Sequence, residues 1–399
     1  MKCKLTDKEI KPFMSFGKMP LANGFLNENE FKNEFFFNME VCFSEQLSLF
    51  QLNDHPTPEK MFNKKYPFYT GSSKLMILHF KKYADWIKNN FLKSNSKLIE
   101  IGSNDGTFLS NFKNSSIDCV GFEPSENVAL KATNNDIKTI NKFFNIENIK
   151  ILKNFENNTD VICASNVICH IPDLKELIFT IDKLLNKKGV FIFEEPYMGS
   201  MFEKISYDQI YDEHIFMFSV SSILKIAKLY DFELIDVLPQ TTHGGSMRYI
   251  VGRKNEHIIN ERVETILSRE KNKNLDNLES CIEFKKGCEK SKEKLVNSLK
   301  KIKNKGKQVC GYAATSKSTT ILNYCNLDKS IFNFICDTTK EKVGKFSPGT
   351  HIPIVSISHF HKNLPDIAYL FAWNHKNEIF EKEKDFIKKG GEWISHVSL

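Results

Sequence analysis

Lys97-Leu98-Ile99-Glu100-Ile101-Gly102-Ser103-Asn104-Asp105-Gly106-Thr107-Phe108-Leu109 decides the fold of this chain. Leu98 to Ile101 is a short apolar run of the kind that forms a buried parallel strand. Gly102 and Gly106 follow, and Thr107-Phe108-Leu109 opens an apolar helical pattern. Strand, glycine turn and helix make the first crossover of an open α/β sheet, which binds ligands at the carboxyl ends of its strands. Two ligand classes compete for the turn. A pyrophosphate needs G-x-G-x-x-G, because it approaches bare backbone at a helix N-terminus. Here Asn104 stands two residues after Gly102 and Asp105 follows, and a carboxylate at that point repels phosphate. A donor carrying an ammonium and a sulfonium is compatible with Glu100 and Asp105. Glu-x-Gly-x-x-x-Gly therefore reads as a site for S-adenosylmethionine, with Glu100, Gly102, Asp105 and Gly106 around it.

The chain has 399 residues, 41% hydrophobic and 26% charged, an ordinary balance for a soluble globular protein. At roughly 150 residues per domain that length predicts two or three domains. Its formal charge of +7 comes partly from the Lys-rich stretch 284–307 and does not by itself imply nucleic acid. There is no RNP motif and no aromatic-interleaved basic patch. The first residues, MKCKLTDKEIKPF, lack the apolar core of a secretory leader, and no run approaches the ~18 apolar residues of a membrane span. Ten cysteines are scattered, several inside strand-like runs such as Val161-Ile162-Cys163. Reduced, buried thiols in a cytoplasmic protein are expected, not a disulfide scaffold.

Residues 1–75 read as a small, irregular, β-rich domain, with strands near 35–43 and 46–52 and a turn-rich segment at 16–23. Cys3 and Cys42 each lack a partner three residues on, where Thr6 and Glu45 stand, and two cysteines do not make a zinc site. Tyr66-Pro67-Phe68-Tyr69 forms a polar-aromatic turn ahead of an amphipathic helix at about 74–91. Residues 76–255 alternate strands and helices. Gly121-Phe122-Glu123-Pro124 ends a second strand with an acid 21 residues after Gly102, where a carboxylate accepts ribose hydroxyls in this architecture. The third strand ends at Asn166, and His170 beyond it either faces the same crevice or caps a helix. Tyr207-Asp208-Gln209-Ile210-Tyr211-Asp212-Glu213-His214 concentrates phenols, carboxylates and an imidazole; on a helix Tyr207, Tyr211 and His214 would share a face. The same segment also reads as a solvated acidic helix with aromatic anchors. His243, Ser246 and Arg248 lie around a glycine pair that permits a sharp turn. Residues 256–399 begin with solvated linking helices. From Gln308 an α/β pattern restarts, with Thr315-Ser316-Lys317 at a helix start suited to an anion and Asp337 ending a strand 26 residues after Gly311.

EIGSNDGTFL, GFEPSENVA, YDQIYDEH, HGGSMR, GYAATSKSTTILNYC and ICDTTKEKVGKFSPGTHIPI, in that order, together resemble the three-part sugar C-methyltransferases that act on nucleotide-linked keto-deoxysugars. The resemblance spans nearly the whole chain. It implies a central Rossmann-like domain for S-adenosylmethionine (76–255), a small N-terminal β-rich domain (1–75) and a C-terminal Rossmann-like α/β domain (256–399) that holds most of the nucleotide diphosphate. Carried over by residue, it implies catalytic roles for Tyr211, Glu213 and His214, and for a tyrosine from the stretch containing Tyr66 and Tyr69. Donor contacts fall on Glu100, Gly102, Asp105, Gly106, Glu123, Pro124 and Asn166. Substrate contacts fall on Tyr207, His243, Ser246, Arg248, Lys317, Asn323, Tyr324 and Asp337. The family's two C-x-x-C pairs are reduced here to Cys3 and Cys42, so no zinc is expected. Ala313-Ala314 stands where the family often has glycine. A nucleotide-sugar partner, no nucleic acid, no membrane, and a monomer or dimer are the remaining expectations.

Methylating carbon requires a nucleophilic carbon. The expected route has His214 remove a proton beside a ketone, with Glu213 or Asp212 orienting the ring and tyrosine hydroxyls stabilising the enolate oxygen. The rivals are an oxygen or nitrogen methyltransferase on a nucleotide sugar, a nicotinamide oxidoreductase, against which Asn104-Asp105 argues, and a non-catalytic scaffold.

Overall fold

The computed structural model describes residues 1–64 and 66–397. Three strands, β1 (Pro12–Pro20), β2 (Phe36–Ser44) and β3 (Leu49–Leu52), pair antiparallel in that order. The turn expected at 16–23 is therefore mostly strand. Gly17 sits at a register shift with φ +78°, a bulge of the kind that lets glycine and proline occupy an edge strand. This lobe has no private core. Met14, Phe16, Val41, Phe43 and Phe50 pack in one cluster with Phe284, Leu295, Ile321, Tyr324 and Tyr369 from the last third of the chain.

In the middle lobe β4 (Lys97–Ile101), β5 (Asp118–Phe122), β6 (Thr139–Ile140), β7 (Thr159–Ser165) and β8 (Leu185–Pro196) run parallel. A two-residue strand, β9 (Phe216–Met217), joins the edge of β3. β10 (Phe232–Gln240) and β11 (Ser246–Arg253) form a hairpin whose second strand runs antiparallel to β8. The sheet order is β10-β11-β8-β7-β4-β5-β6. The chain thus builds outward from β4 on one side, then returns to build on the other. That reversal opens a crevice beyond the carboxyl end of β4, at Gly102. Gly102 has φ +65°, and a Cβ there would collide with Val167. No long helix follows. A 3₁₀ turn at Leu109–Phe112 takes its place, with Asn111 donating back to the carbonyls of Thr107 and Phe108. Phe108, Leu109 and Phe112 are buried against Phe80 and Tyr83 of the helix Lys74–Phe91.

Two helices, Glu261–Asn272 and Leu278–Asn304, lead to the last lobe. The first packs on the middle lobe through Val263 and Ile266. Its Glu270 is fully buried and accepts from the amides of Val220 (2.7 Å) and Ser221 (2.8 Å) and the hydroxyls of Ser221 (2.6 Å) and Tyr197 (2.8 Å). The second helix buries Cys281, Phe284, Cys288, Leu295 and Leu299 along one stripe. Then β12 (Val309–Tyr312), β13 (Ile335–Asp337), β14 (Ile354–Ser356), β15 (Ile367–Leu370) and β16 (Glu392–Ile394) form a parallel sheet ordered β14-β13-β12-β15-β16. Asp208 of the middle lobe bolts this lobe in place, accepting Trp373 Nε1 at 2.7 Å and meeting His396 Nε2 at 3.2 Å. Among the described residues no helix is long and apolar enough to cross a membrane.

Candidate active site

A cavity of about 520 Å³ lies beyond β4 and reaches all three lobes. Its first end is built on the turns after β4, β5 and β7, which supply Glu100, Gly102, Asn104, Glu123, Pro124 and Asn166. Glu123 is held by two backbone donors, Asn104 N (3.0 Å) and Ser125 N (2.7 Å). Burial pushes its carboxyl above the ordinary range, against those donors. Glu100 Oε2 and Asn166 Oδ1 are buried without a hydrogen-bond partner among the described residues. A buried acceptor left unpaired is costly, so two of them facing one cavity fit a ligand that brings donors or positive charge. Burial also pushes Glu100 well up, with Asp105 and Glu123 adding to it; a bound cation would reverse that shift.

Asp105 and Gly106 do not line the cavity, contrary to expectation. Asp105 accepts from Gly71 N (3.0 Å) and Thr107 Oγ1 (2.6 Å) and pairs with Lys131 (3.2 Å). Asn104 adds a bond from Thr70 N (2.8 Å). Together they clamp the Phe68–Gly71 segment over the turn. Gly106, with φ +78°, makes room for Ile137 and Ala132.

The Tyr207–His214 segment is not a helix. After a 3₁₀ turn at Tyr207–Gln209 it winds through the wall as loop, so the shared helical face does not exist. Tyr207 points away from the cavity, fully buried against Tyr324, His396 and the Cys325 sulfur. Tyr211, Glu213 and His214 do line the cavity. His214 Nδ1 lies 2.7 Å from the carbonyl of Gln209. A carbonyl only accepts, so Nδ1 carries the proton and Nε2 keeps its lone pair. Tyr211 donates its hydroxyl to that lone pair at 2.6 Å. Burial, with neighbouring His170, holds the imidazole well below its usual pKa, hence neutral. His170 stacks on it at 5.3 Å and is pushed down to about 3 by burial. The ring is thus oriented by Gln209, not by a carboxylate. Asp212 accepts from Ala22 N (3.1 Å), while Glu213 accepts from Asn23 Nδ2 (2.7 Å) and Tyr66 Oη (3.3 Å) and is pushed up to about 7 by burial. Of the two candidate tyrosines, Tyr66 lines the cavity. Tyr69 is tied to Asn127 (2.7 Å) beneath Lys131.

The far end belongs to the C-terminal lobe. Thr315, Ser316 and Lys317 begin the helix Ser316–Tyr324, and Lys342, Asn374 and His375 face them. Lys317 Nζ lies over the Trp373 ring at 4.5 Å and donates to Asn374 Oδ1 (3.2 Å); Lys342 Nζ donates to the Ala314 carbonyl (2.8 Å). Burial lowers the pKa of both. Neither has a carboxylate within salt-bridge distance among the described residues. His243 reaches this wall from the middle lobe and is pushed down to about 3 by burial and by Lys317. The other expected substrate contacts hold structure instead. Arg248 pairs with Glu194 (2.7 Å) under Tyr83, Ser246 bonds the Thr242 carbonyl, and Asn323 bonds those of Thr319 and Pro348. Tyr324 packs on Phe16 and Tyr207, and Asp337 caps Ala314 N and Thr339 N at 2.7 Å each. Sequence reasoning passed over Asn23, Lys342 and Asn374. Lys342 lies inside a motif already singled out, whereas Asn23 sits in a turn with no signal of its own.

Three family models tile the chain: a putative zinc binding domain over residues 3–62, a methyltransferase domain over 77–237 and a C-methyltransferase C-terminal domain over 241–398. The chain is 28% identical to the C-methyltransferase NovU of Streptomyces niveus over 384 residues, 96% of this chain and 91% of that protein. It is 29% identical over 160 residues to a carboxy-S-adenosyl-L-methionine synthase of Nautilia profundicola, covering 39% of this chain and 64% of that one. Among solved structures, the PH0226 protein of Pyrococcus horikoshii overlaps 50% of this chain and all of its own, at TM-score 0.38 and 14% identity.

The residues at the first end fit S-adenosylmethionine: partnerless buried acceptors on Glu100 and Asn166, and a pre-oriented Glu123. The N-terminal lobe does not fit zinc. Among the described residues it holds no group of three or more His, Cys, Asp or Glu whose ligand atoms converge, and Cys42 Sγ lies against the Met1 sulfur at 4.0 Å. The buried Gln51 side chain does the tying instead, accepting Lys4 N (3.0 Å) and donating to the Lys2 carbonyl (3.3 Å). With these residues at its donor end and its three matched segments in one order, this chain is an S-adenosylmethionine-dependent methyltransferase, similar along its length to C-methyltransferases.

Proposed function

We propose that the acceptor is a nucleotide-diphosphate-linked keto-sugar, methylated at a carbon beside its ketone. The observation that carries this reading is the pair Lys317 and Lys342. Two desolvated ammonium groups without carboxylate partners are expensive to keep, and a diphosphate at a helix N-terminus relieves both. They sit across the cavity from the acidic donor end, so the two ligands would meet near His214.

When bound, S-adenosylmethionine supplies an electrophilic methyl group. The chain's own part is to make the carbon nucleophilic. His214 Nε2, neutral and free of its own proton, takes a proton from the carbon. Tyr211, released from Nε2, turns its hydroxyl to the oxygen where negative charge gathers. Tyr66, held by Glu213, presents a second phenol to the same space. Walls from three lobes exclude water and fix the approach, which supplies much of the rate.

The test uses methyl-labelled S-adenosylmethionine and a panel of nucleotide keto-sugars in deuterated water, read by NMR. The expected product carries a new C–CH₃ beside the carbonyl, with deuterium exchange at that carbon. A methyl on oxygen or nitrogen, or no turnover of any nucleotide keto-sugar, overturns the reading.

A further inference from the structure

We propose that Cys169, His170 and His214 form an inhibitory site for a thiophilic divalent cation, Zn²⁺ above all, in the wall of the catalytic cavity. Among the described residues this is the one group of three or more His, Cys, Asp or Glu whose ligand atoms converge, all within 4.8 Å of one another. His170 Nε2 is buried and has no hydrogen-bond partner among the described residues. The two imidazoles stack at 5.3 Å with planes 22° apart. Zn–N bonds of ~2.1 Å and a Zn–S bond of ~2.3 Å in a tetrahedron set donors roughly 3.5 Å apart. Side-chain rotations of about an ångström close that gap.

The turn that carries two of the ligands is rigid. Glu195 Oε1 accepts from the amides of Val167 (2.9 Å), Ile168 (2.6 Å) and Cys169 (3.4 Å), and Glu195 Oε2 has no partner among the described residues. That carboxylate and Glu213 offset the charge a cation would bring. One thiol and two imidazoles make a borderline-soft set that selects zinc, cobalt or cadmium over magnesium or calcium. Binding expels the Cys169 proton to water and forms the metal–sulfur bond. On His214 only Nε2 is available, since Nδ1 is committed to Gln209. The cation therefore takes the lone pair that accepts Tyr211, and Tyr211 Oη, 2.6 Å away, is displaced or becomes a fourth ligand. Occupancy silences the base; that half rests on the reading of His214 above, while binding itself does not.

The test uses the full chain, stripped with a chelator and titrated with Co²⁺, then Zn²⁺, as wild type, Cys169→Ala and His170→Gln. Wild type is expected to show a thiolate-to-cobalt charge-transfer band that Zn²⁺ bleaches, absent from Cys169→Ala and weakened in His170→Gln. Methyl transfer to whichever panel substrate is turned over should be inhibited by Zn²⁺ in wild type and at least tenfold less sensitive in Cys169→Ala. Cys169→Ser serves if the alanine variant fails to fold. Absence of the band in wild type, or persistence of the full band in a folded Cys169 variant, overturns the site. A band with no loss of methyl transfer overturns the inhibition and takes His214 off the metal.

Discussion

The two doubly wound lobes open their sheets the same way and prepare for opposite charges. After β4 the chain turns at Gly102, between Glu100 and Glu123, and the ionisable side chains that the ends of β4 and β5 give to the cavity are these two carboxylates. After β12 it turns at Ala313, which has φ +72°, into a helix start flanked by Lys317 and Lys342. Strand, turn and helix are common property; the sign of the ligand is written in the side chains that the turn leaves exposed to the cavity. A fold alone would assign two nucleotide sites. The side chains suit a cationic donor at one and, on the function proposed above, an anionic acceptor at the other.

The comparison can be broken most severely between the turns. His214→Ala leaves both ligand ends intact, so donor and acceptor should still bind while methyl transfer falls ~10²–10⁴-fold and deuterium exchange at the acceptor carbon stops. Exchange that persists at the wild-type rate would place the base elsewhere. Next come the two ends themselves. Lys317→Met or Lys342→Met, each alone, should weaken acceptor binding by ~10- to 100-fold, at about 1.5–3 kcal/mol for the charge-assisted bond lost, and leave donor affinity unchanged in calorimetry. Glu100→Gln should do the reverse, weakening the donor alone. If any of these variants weakens both ligands equally, the division of charge between the lobes is wrong.

A finer sharpening uses His170, held at about 3 by burial. Between pH ~3 and ~6.5 the unfolded chain binds a proton there that the native state does not. Stability contributed by this residue is therefore lost as pH falls through that window and complete above it. His170→Gln should flatten the rise of Tm from pH 4.5 to 7 relative to wild type. The smallest effect belongs to the second turn. Ala313→Gly removes the left-handed strain of a Cβ, ~1–2 kcal/mol, against ~0.5–1 kcal/mol of added unfolded-state entropy. A net gain of up to about 1.5 kcal/mol, seen as a slightly higher Tm, is expected.

The sheets were readable in the sequence because their central strands, β4, β7, β8, β12 and β15, are near-continuous apolar runs, and a run buried on both faces needs no partner to be recognised. β1 was not, since Gly17 and two prolines made an edge strand resemble a turn. At the site, the residues that line the cavity and those that merely support it shared the same motifs. Arg248 carries no local sign that it faces Glu194, because the two meet only through the pairing of β11 with β8. Asp105 was read as a carboxylate facing the ligand, yet it serves Gly71, more than thirty residues upstream. Tyr207, Tyr211 and His214 follow one another by steps of four and three, a plausible helical repeat, and only the loop that replaces the helix separates core from cavity. Asn23 illustrates the opposite limit, a functional neighbour of Glu213 from 190 residues away.

Glu270 has a practical corollary for anyone splicing this protein. A chimaera joined at residue 255, where strand gives way to helix, would discard the one carboxylate that quenches the amides opening Val220–Leu229 and would strip Val263 and Ile266 from the sheet they shield. Junctions moved beyond Asp276 carry that arm along, so C-terminal lobes exchanged there should yield folded hybrids where cuts at 255 yield aggregates.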